Sequence, residues 1–157
     1  MKVLIAPLNW GLGHATRCIP LIKNYLEQNN ELIIASDGIA LQLLKNEFPN
    51  LQFYELPSYD INYKNNNLVW GMFIQSFKII NAVWSENKAV ARIANEHKLD
   101  LIISDNRLGC FNQKIKSIYI THQLNLPIEN RLVRFFGNLT HHYFIKKYAE
   151  CWIPDFK

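Results

Sequence analysis

Six residues near the N-terminus, Asn9-Trp10-Gly11-Leu12-Gly13-His14, set two glycines and an imidazole directly ahead of a helical stretch. Glycines let backbone N–H groups come close to an anion, and the N-terminal end of a helix adds a favourable dipole. The segment reads as a cradle for phosphate or pyrophosphate, with Asn9, Gly11, Gly13 and Thr16 as candidate contacts. His14 is placed to take a proton from an acceptor hydroxyl at neutral pH. Asp105, in the stretch Leu101 to Arg107, closes a later apolar run. It would hydrogen-bond His14, fix its tautomer and stabilise the imidazolium, as the acid of a catalytic triad does. The alternative is that Asp105 caps the next turn. Beside it, Asn106 and Arg107 are candidates for an acceptor phosphate, because a guanidinium forks onto phosphate oxygens; otherwise Arg107 is a solvated charge. His122 and Gln123 follow another apolar run and are candidate acceptor contacts, with a structural histidine as the alternative.

The same first loop admits a dinucleotide reading. Gly11-Leu12-Gly13-His14-Ala15-Thr16 matches G-x-G-x-x, but Thr16 stands where Gly or Ala is expected. Asp37 lies 24 residues after Gly13, roughly where an acid would hold a ribose. His14 and Thr16 would crowd a pyrophosphate lying on such a loop. A tight turn with no ligand is the remaining alternative.

These residues need a scaffold. Val3–Leu8, Leu32–Ala35, Gln52–Leu56, Leu99–Ser104 and Lys116–Thr121 are short apolar runs ended by turn residues, as buried strands are. Helices are expected over Ala15–Gln28, with Thr16 as N-cap and Pro20 in the first turn, and over Ile39–Phe48. A long helical region runs from Leu68 to Lys98, its stripe of Val69, Phe73, Phe77, Ile80 and Trp84 recurring every three or four residues; Ser85-Glu86-Asn87 breaks it in two. A last helix spans Glu129–Tyr148, and Cys151–Pro154 opens another strand. Strands alternating with helices give an α/β fold: a Rossmann-like, doubly wound parallel sheet with helices on both faces. Such sheets bind ligands at the carboxyl ends of their strands, where the strand order reverses. His14, Asp105 and His122 all follow strands on that edge.

With 157 residues, 49% of them hydrophobic, the chain can fill one core, and disorder is excluded. Residues 1–105 carry 9 Lys/Arg against 10 Asp/Glu, whereas residues 106–157 carry 8 against 3. The basic end suits phosphate-rich ligands or anionic lipid; no nucleic-acid motif accompanies it. Leu132, Val133, Phe135 and Phe136 alternate with Arg131 and Arg134, and Lys146 and Lys147 follow. That mixture reads as a helix packing its apolar face on the sheet, or as one resting on an anionic membrane. Three dispersed cysteines, Cys18, Cys110 and Cys151, suggest neither a zinc site nor disulfides and fit a cytoplasmic protein. His141-His142 has no third ligand nearby, and no metal is expected. No signal peptide or membrane-spanning run is visible. Cys151-Trp152-Ile153-Pro154-Asp155 reads as a strand entering a linker, so a second domain is expected to follow.

The stretch Asn9 to Leu21, NWGLGHATRCIPL, resembles the first loop and helix of GT-B glycosyltransferases. It is most similar to the bacterial transferase that adds N-acetylglucosamine to the lipid-linked peptidoglycan precursor (glycosyltransferase family 28-like). Thr121-His122-Gln123, with Asn130 downstream, resembles that enzyme's His-Glu-Gln-Asn signature, with Gln123 where the family has Glu. His14 with Asp105 also looks like the His–Asp pair of plant GT-B enzymes. The resemblance covers the whole chain as a single N-terminal, acceptor-side domain, residues 1–157, without the C-terminal donor domain. It implies transfer of a sugar from a UDP-sugar to an acceptor hydroxyl, with inversion. His14 would be the base and Asp105 its partner, and neither metal nor other cofactor would take part. It further implies a donor bound by a missing domain or a separate subunit, and a lipid-linked acceptor at the inner membrane face. A non-catalytic module binding an anionic glycolipid or nucleotide is the second reading, and an NAD-dependent oxidoreductase the third.

Overall fold

The strands are built from residues that suit burial on both faces. In β1 (Lys2–Pro7) every residue after Lys2 is buried, and in β2 (Glu31–Ser36) every residue after Glu31. All five residues of β4 (Leu101–Asp105) are buried, while β3 (Gln52–Glu55), β5 (Lys116–Ile120) and β6 (Glu150–Trp152) complete the set. Continuous Val, Ile, Leu and Ala without alternation mark strands covered on two sides. The structure is a computed structural model that describes residues 1–59, 68–122, 124, 125 and 130–154, leaving out the side chains of 68–77 and 133.

The six strands form one sheet in the order β3-β2-β1-β4-β5-β6, with every neighbouring pair parallel. The chain winds outward from β1 through β2 to β3, then returns along a long helix to β4 on the other side of β1. The strand order therefore reverses between β1 and β4, where Pro7 lies opposite Asp105. One core lies under α1 (Gly13–Glu27) and α2 (Gly38–Glu47), where Val3, Ile5 and Ile34 meet Ala15, Cys18, Ile22 and Leu44. A second core lies on the opposite face, where Leu4, Ile33 and Ile102 meet Val90, Ile93 and Ala94 of α3 (Leu68–His97). Tyr119 and Tyr148 extend that face, their rings 5.0 Å apart, beneath α4 (Arg131–Ile145).

Three expectations are corrected. Helix α1 starts at Gly13, two residues earlier than expected, with Leu12 already in helical dihedrals and no side-chain cap. Gly11, at φ +74°, makes the reversal before Thr16 is reached, so the Thr16 hydroxyl donates back to the Gly13 carbonyl at 3.1 Å. Pro20 consequently lies inside the helix rather than in its first turn. Helix α3 runs unbroken through Ser85-Glu86-Asn87. Glu86 and Asn87 do not end it, because their side chains face the irregular connection after β4. Asn87 Nδ2 donates to the carbonyls of Gly109 and Phe111, and buried Glu86 accepts from the Gly109 N–H at 2.7 Å. A side chain at Gly109 would run into the Val83 carbonyl, so this close approach needs glycine. Finally, α4 turns Phe144, His141 and the following Tyr148 toward the sheet but leaves Leu132, Phe135, Phe136, Leu139 and Tyr143 exposed. Leu132, Phe135 and Phe136, expected to pack on the sheet, are therefore exposed, and the side chain of Val133 lies outside those described. Val69, Phe73 and Phe77 of the expected α3 stripe lie outside the described side chains.

Candidate active site at the strand-order reversal

The loop from Leu8 to Leu12 leaves β1 at the reversal point and is fixed at both ends. The Leu8 N–H donates to the Asp105 carbonyl at 2.9 Å. Asn9 is held by the next unit of the fold: its Oδ1 accepts from the Ala40 N–H at 3.2 Å, and its Nδ2 donates to Asp37 at 3.3 Å. Asn9 thus anchors the loop to the start of α2. Gly11 and Gly13 are exposed, and a Cβ at either would meet open space; only Gly11, with its positive φ, needs glycine for conformation.

His14 follows in the first turn of α1, and its Nδ1 lies 3.1 Å from Asp105 Oδ1. The expected pairing of loop one with the end of β4 is present. Asp105 is 1% exposed, and its carboxylate has a second partner that the sequence reading missed. Arg17 forks onto the carboxylate, its Nε donating to Oδ2 at 2.5 Å and its Nη2 to Oδ1. The same Nη2 lies 2.6 Å from His14 Nδ1. Burial pushes the Asp105 carboxyl up, but the contacts and charges of His14 and Arg17 outweigh it and hold the group below its ordinary value. Cys18 Sγ lies 3.6 Å from Asp105 Oδ2; burial and that carboxylate push its thiol well up, so it stays protonated. A legible signal for Arg17 existed: three residues beyond His14 on a helix, it shares that residue's face.

A cleft of about 460 Å³ opens here, lined by Trp10, Gly13, His14, Thr16, Arg17 and His122. A guanidinium and a helix N-terminus give it a cationic lining, two imidazoles add hydrogen-bonding groups, and Trp10, 53% exposed, offers a flat apolar surface. His122 joins this group from the end of β5, as its position in the sequence suggests. Gln123 lies outside the described residues.

Asn106 and Arg107 do not join it. Asn106 adopts a left-handed conformation, φ +60°, that Asn tolerates, and its side chain accepts from the Tyr119 hydroxyl at 3.3 Å. Arg107 is wholly buried, which corrects its expected role on a phosphate. Its Nε donates to Glu86, its Nη1 to Asp37 at 2.6 Å and its Nη2 to the Pro57 carbonyl at 2.8 Å. Burial disfavours that charge, but Glu86 and Asp37 more than compensate and raise its pKa. Ser58 donates to Asp37 at 2.7 Å, and Tyr59 to Glu86 at 2.6 Å. Asp37, which the dinucleotide reading needs for a ribose, is 4% exposed and holds Arg107, Ser58 and Asn9 instead. Buried His141, its pKa lowered by burial, lies 3.4 Å from the Tyr119 hydroxyl and the same distance from the Leu124 carbonyl, as a structural histidine would.

No protein-family model and no curated protein sequence matches the chain. Solved structures do. SsfS6, a glycosyltransferase of Streptomyces sp. SF2575, superposes with a TM-score of 0.58 at 15% identity, over 99% of this chain and 48% of that one. MurG of Acinetobacter baumannii superposes with a TM-score of 0.56 at 16% identity, over 99% and 42%. Phytolacca americana UGT2, solved with UDP-2fluoro-glucose and pterostilbene, gives 0.64 at 12% identity, over 99% and 48%. The chain thus spans under half the length of these GT-B glycosyltransferases, and its fold is the Rossmann-like α/β fold that they share.

Proposed function

We propose that the chain is the acceptor-binding half of a glycosyltransferase that moves a sugar from a UDP-sugar to an acceptor hydroxyl. The observation that carries this reading is the His14–Asp105 pair at the edge of the cleft between β1 and β4. His14 Nε2 takes the acceptor proton, and the hydroxyl oxygen attacks the anomeric carbon. The bond from that carbon to the nucleotide diphosphate breaks, and the diphosphate leaves. Asp105 stabilises the imidazolium that forms. Gly13 and Thr16 line the approach to the start of α1, where N–H groups favour an acceptor phosphate or the donor diphosphate. Trp10 offers a stacking face. The donor site is supplied by a further domain or by a partner subunit.

The cationic lining and the hold of Arg17 on Asp105 favour a second reading, a non-catalytic module that binds an anionic glycolipid or nucleotide. His14→Ala separates the two. The chain is supplied with whatever donor domain or subunit co-purifies with it, and transfer from UDP-sugars is measured together with acceptor binding. Under the first reading, transfer falls about 10²–10⁴-fold while binding holds, and the chain alone transfers nothing. Equal loss of binding and transfer favours the binding module, and full turnover by the isolated chain sinks the half-enzyme reading.

A further inference from the structure

Arg17 stands where the simple His–Asp pair would need open space. A guanidinium carries five N–H donors and no acceptor, and it stays charged at any ordinary pH. Its Nε and one Nη2 proton are directed at the two oxygens of Asp105. That leaves the second Nη2 proton, and His14 Nδ1 lies 2.6 Å from that nitrogen. Two N–H groups cannot face each other at that separation, so Nδ1 must present its lone pair. Asp105 Oδ1, at 3.1 Å from Nδ1, is then a second acceptor beside it, with no proton of the ring between them. The connection from carboxylate to imidazole runs through Arg17.

We propose that Arg17 is a positioning residue that fixes His14 as the Nε2–H tautomer, so that the ring presents a donor to the cleft while the guanidinium remains on Asp105. In this arrangement His14 hydrogen-bonds an oxygen of a ligand and cannot remove its proton. General-base action requires the guanidinium to turn away from Nδ1. The ring then gives its Nε2 proton to solvent and takes one at Nδ1, which donates to Asp105. Arg17 lines the same cleft as His14, so an anionic group on a ligand would compete with Asp105 for it. The catalytic consequence rests on the base role proposed above; the tautomer does not.

The test is ¹⁵N NMR of the His14 ring in the intact chain, in alkaline buffer where imidazole is neutral. Expected is a protonated, pyrrole-type signal for Nε2 and a bare, pyridine-type signal for Nδ1. In Arg17→Gln the two signals exchange places, because Asp105 becomes the only partner of Nδ1. A protonated Nδ1 in the unmodified chain overturns the proposal, as does an Arg17→Gln ring that keeps the original pattern. The unmodified chain decides by itself should Arg17→Gln not fold. Because no sugar transfer is read, failure here is distinct from failure of the proposed reaction.

Discussion

Asp105 keeps a negative charge at a point 1% exposed to water, and it does so through two neighbours on one turn of α1. A carboxyl whose folded pKa is depressed stabilises the fold above its unfolded value, about 4. That stabilisation is lost as pH falls through the folded value. Asp105→Asn keeps a hydrogen-bond acceptor but removes the charge. It is expected to cost about 2 kcal/mol near neutrality and to flatten the acid limb of the stability curve. Urea unfolding at a series of pH values checks this: the difference between the two proteins should shrink as pH drops below 4. A constant difference would mean that the charge contributes nothing. His14 and Asp105 were legible because each follows an apolar run on the same sheet edge. Arg17 was not, because a lone basic residue on the first turns of a helix reads as a solvated charge, and only its i, i+3 spacing puts it beside His14.

At the scale of elements, the buried ions Arg107, Asp37 and Glu86 join the end of β2, helix α3 and the turn after β4. Tyr59 lies against the guanidinium, its ring 5.5 Å from Cζ. Removing Arg107 would strand two carboxylates without their cation. Arg107→Met is therefore expected to lose about 3–5 kcal/mol, read as a fall in the urea midpoint. Combining it with Asp37→Asn and Glu86→Gln should recover part of that loss, since no uncompensated charge remains. A single-variant loss below about 1 kcal/mol would show that water reaches these carboxylates. The strands were readable, being uninterrupted apolar runs. This cluster was not: Arg107 and Asp37 are 70 residues apart, and Glu86 in a Ser-Glu-Asn run looks like a helix break. The retrievable signal was that Glu86 falls among Val83, Val90 and Ile93 on the buried face of α3.

Across the whole molecule, the parallel sheet covered on both faces, with its ligand edge at the strand C-termini, followed from the alternation of strands and helices, because parallel strands need crossover helices; the strand order itself is visible only in the structure. What lay beyond the sequence was the outward turn of α4, since an apolar stripe alone does not say which way it faces. Leu132, Phe135, Phe136, Leu139 and Tyr143 are each more than half exposed, at successive turns of one helix face. Arg131 and Arg134 flank one end and Lys146 and Lys147 the other, in the segment that holds the chain's excess of positive charge. No described helix is long and apolar enough to cross a membrane. An apolar face bordered by cations instead suits lying in the interface of an anionic bilayer. The chain is expected to sediment with phosphatidylglycerol vesicles and not with phosphatidylcholine vesicles, and to release as salt rises. Phe135→Ser with Phe136→Ser should weaken that binding by at least about tenfold, since each ring buried contributes roughly 1.5–3 kcal/mol. Binding that disappears with salt but ignores the double substitution would assign the contact to charge alone. Absence of vesicle binding, with self-association that the double substitution abolishes, would give the face to a protein surface instead.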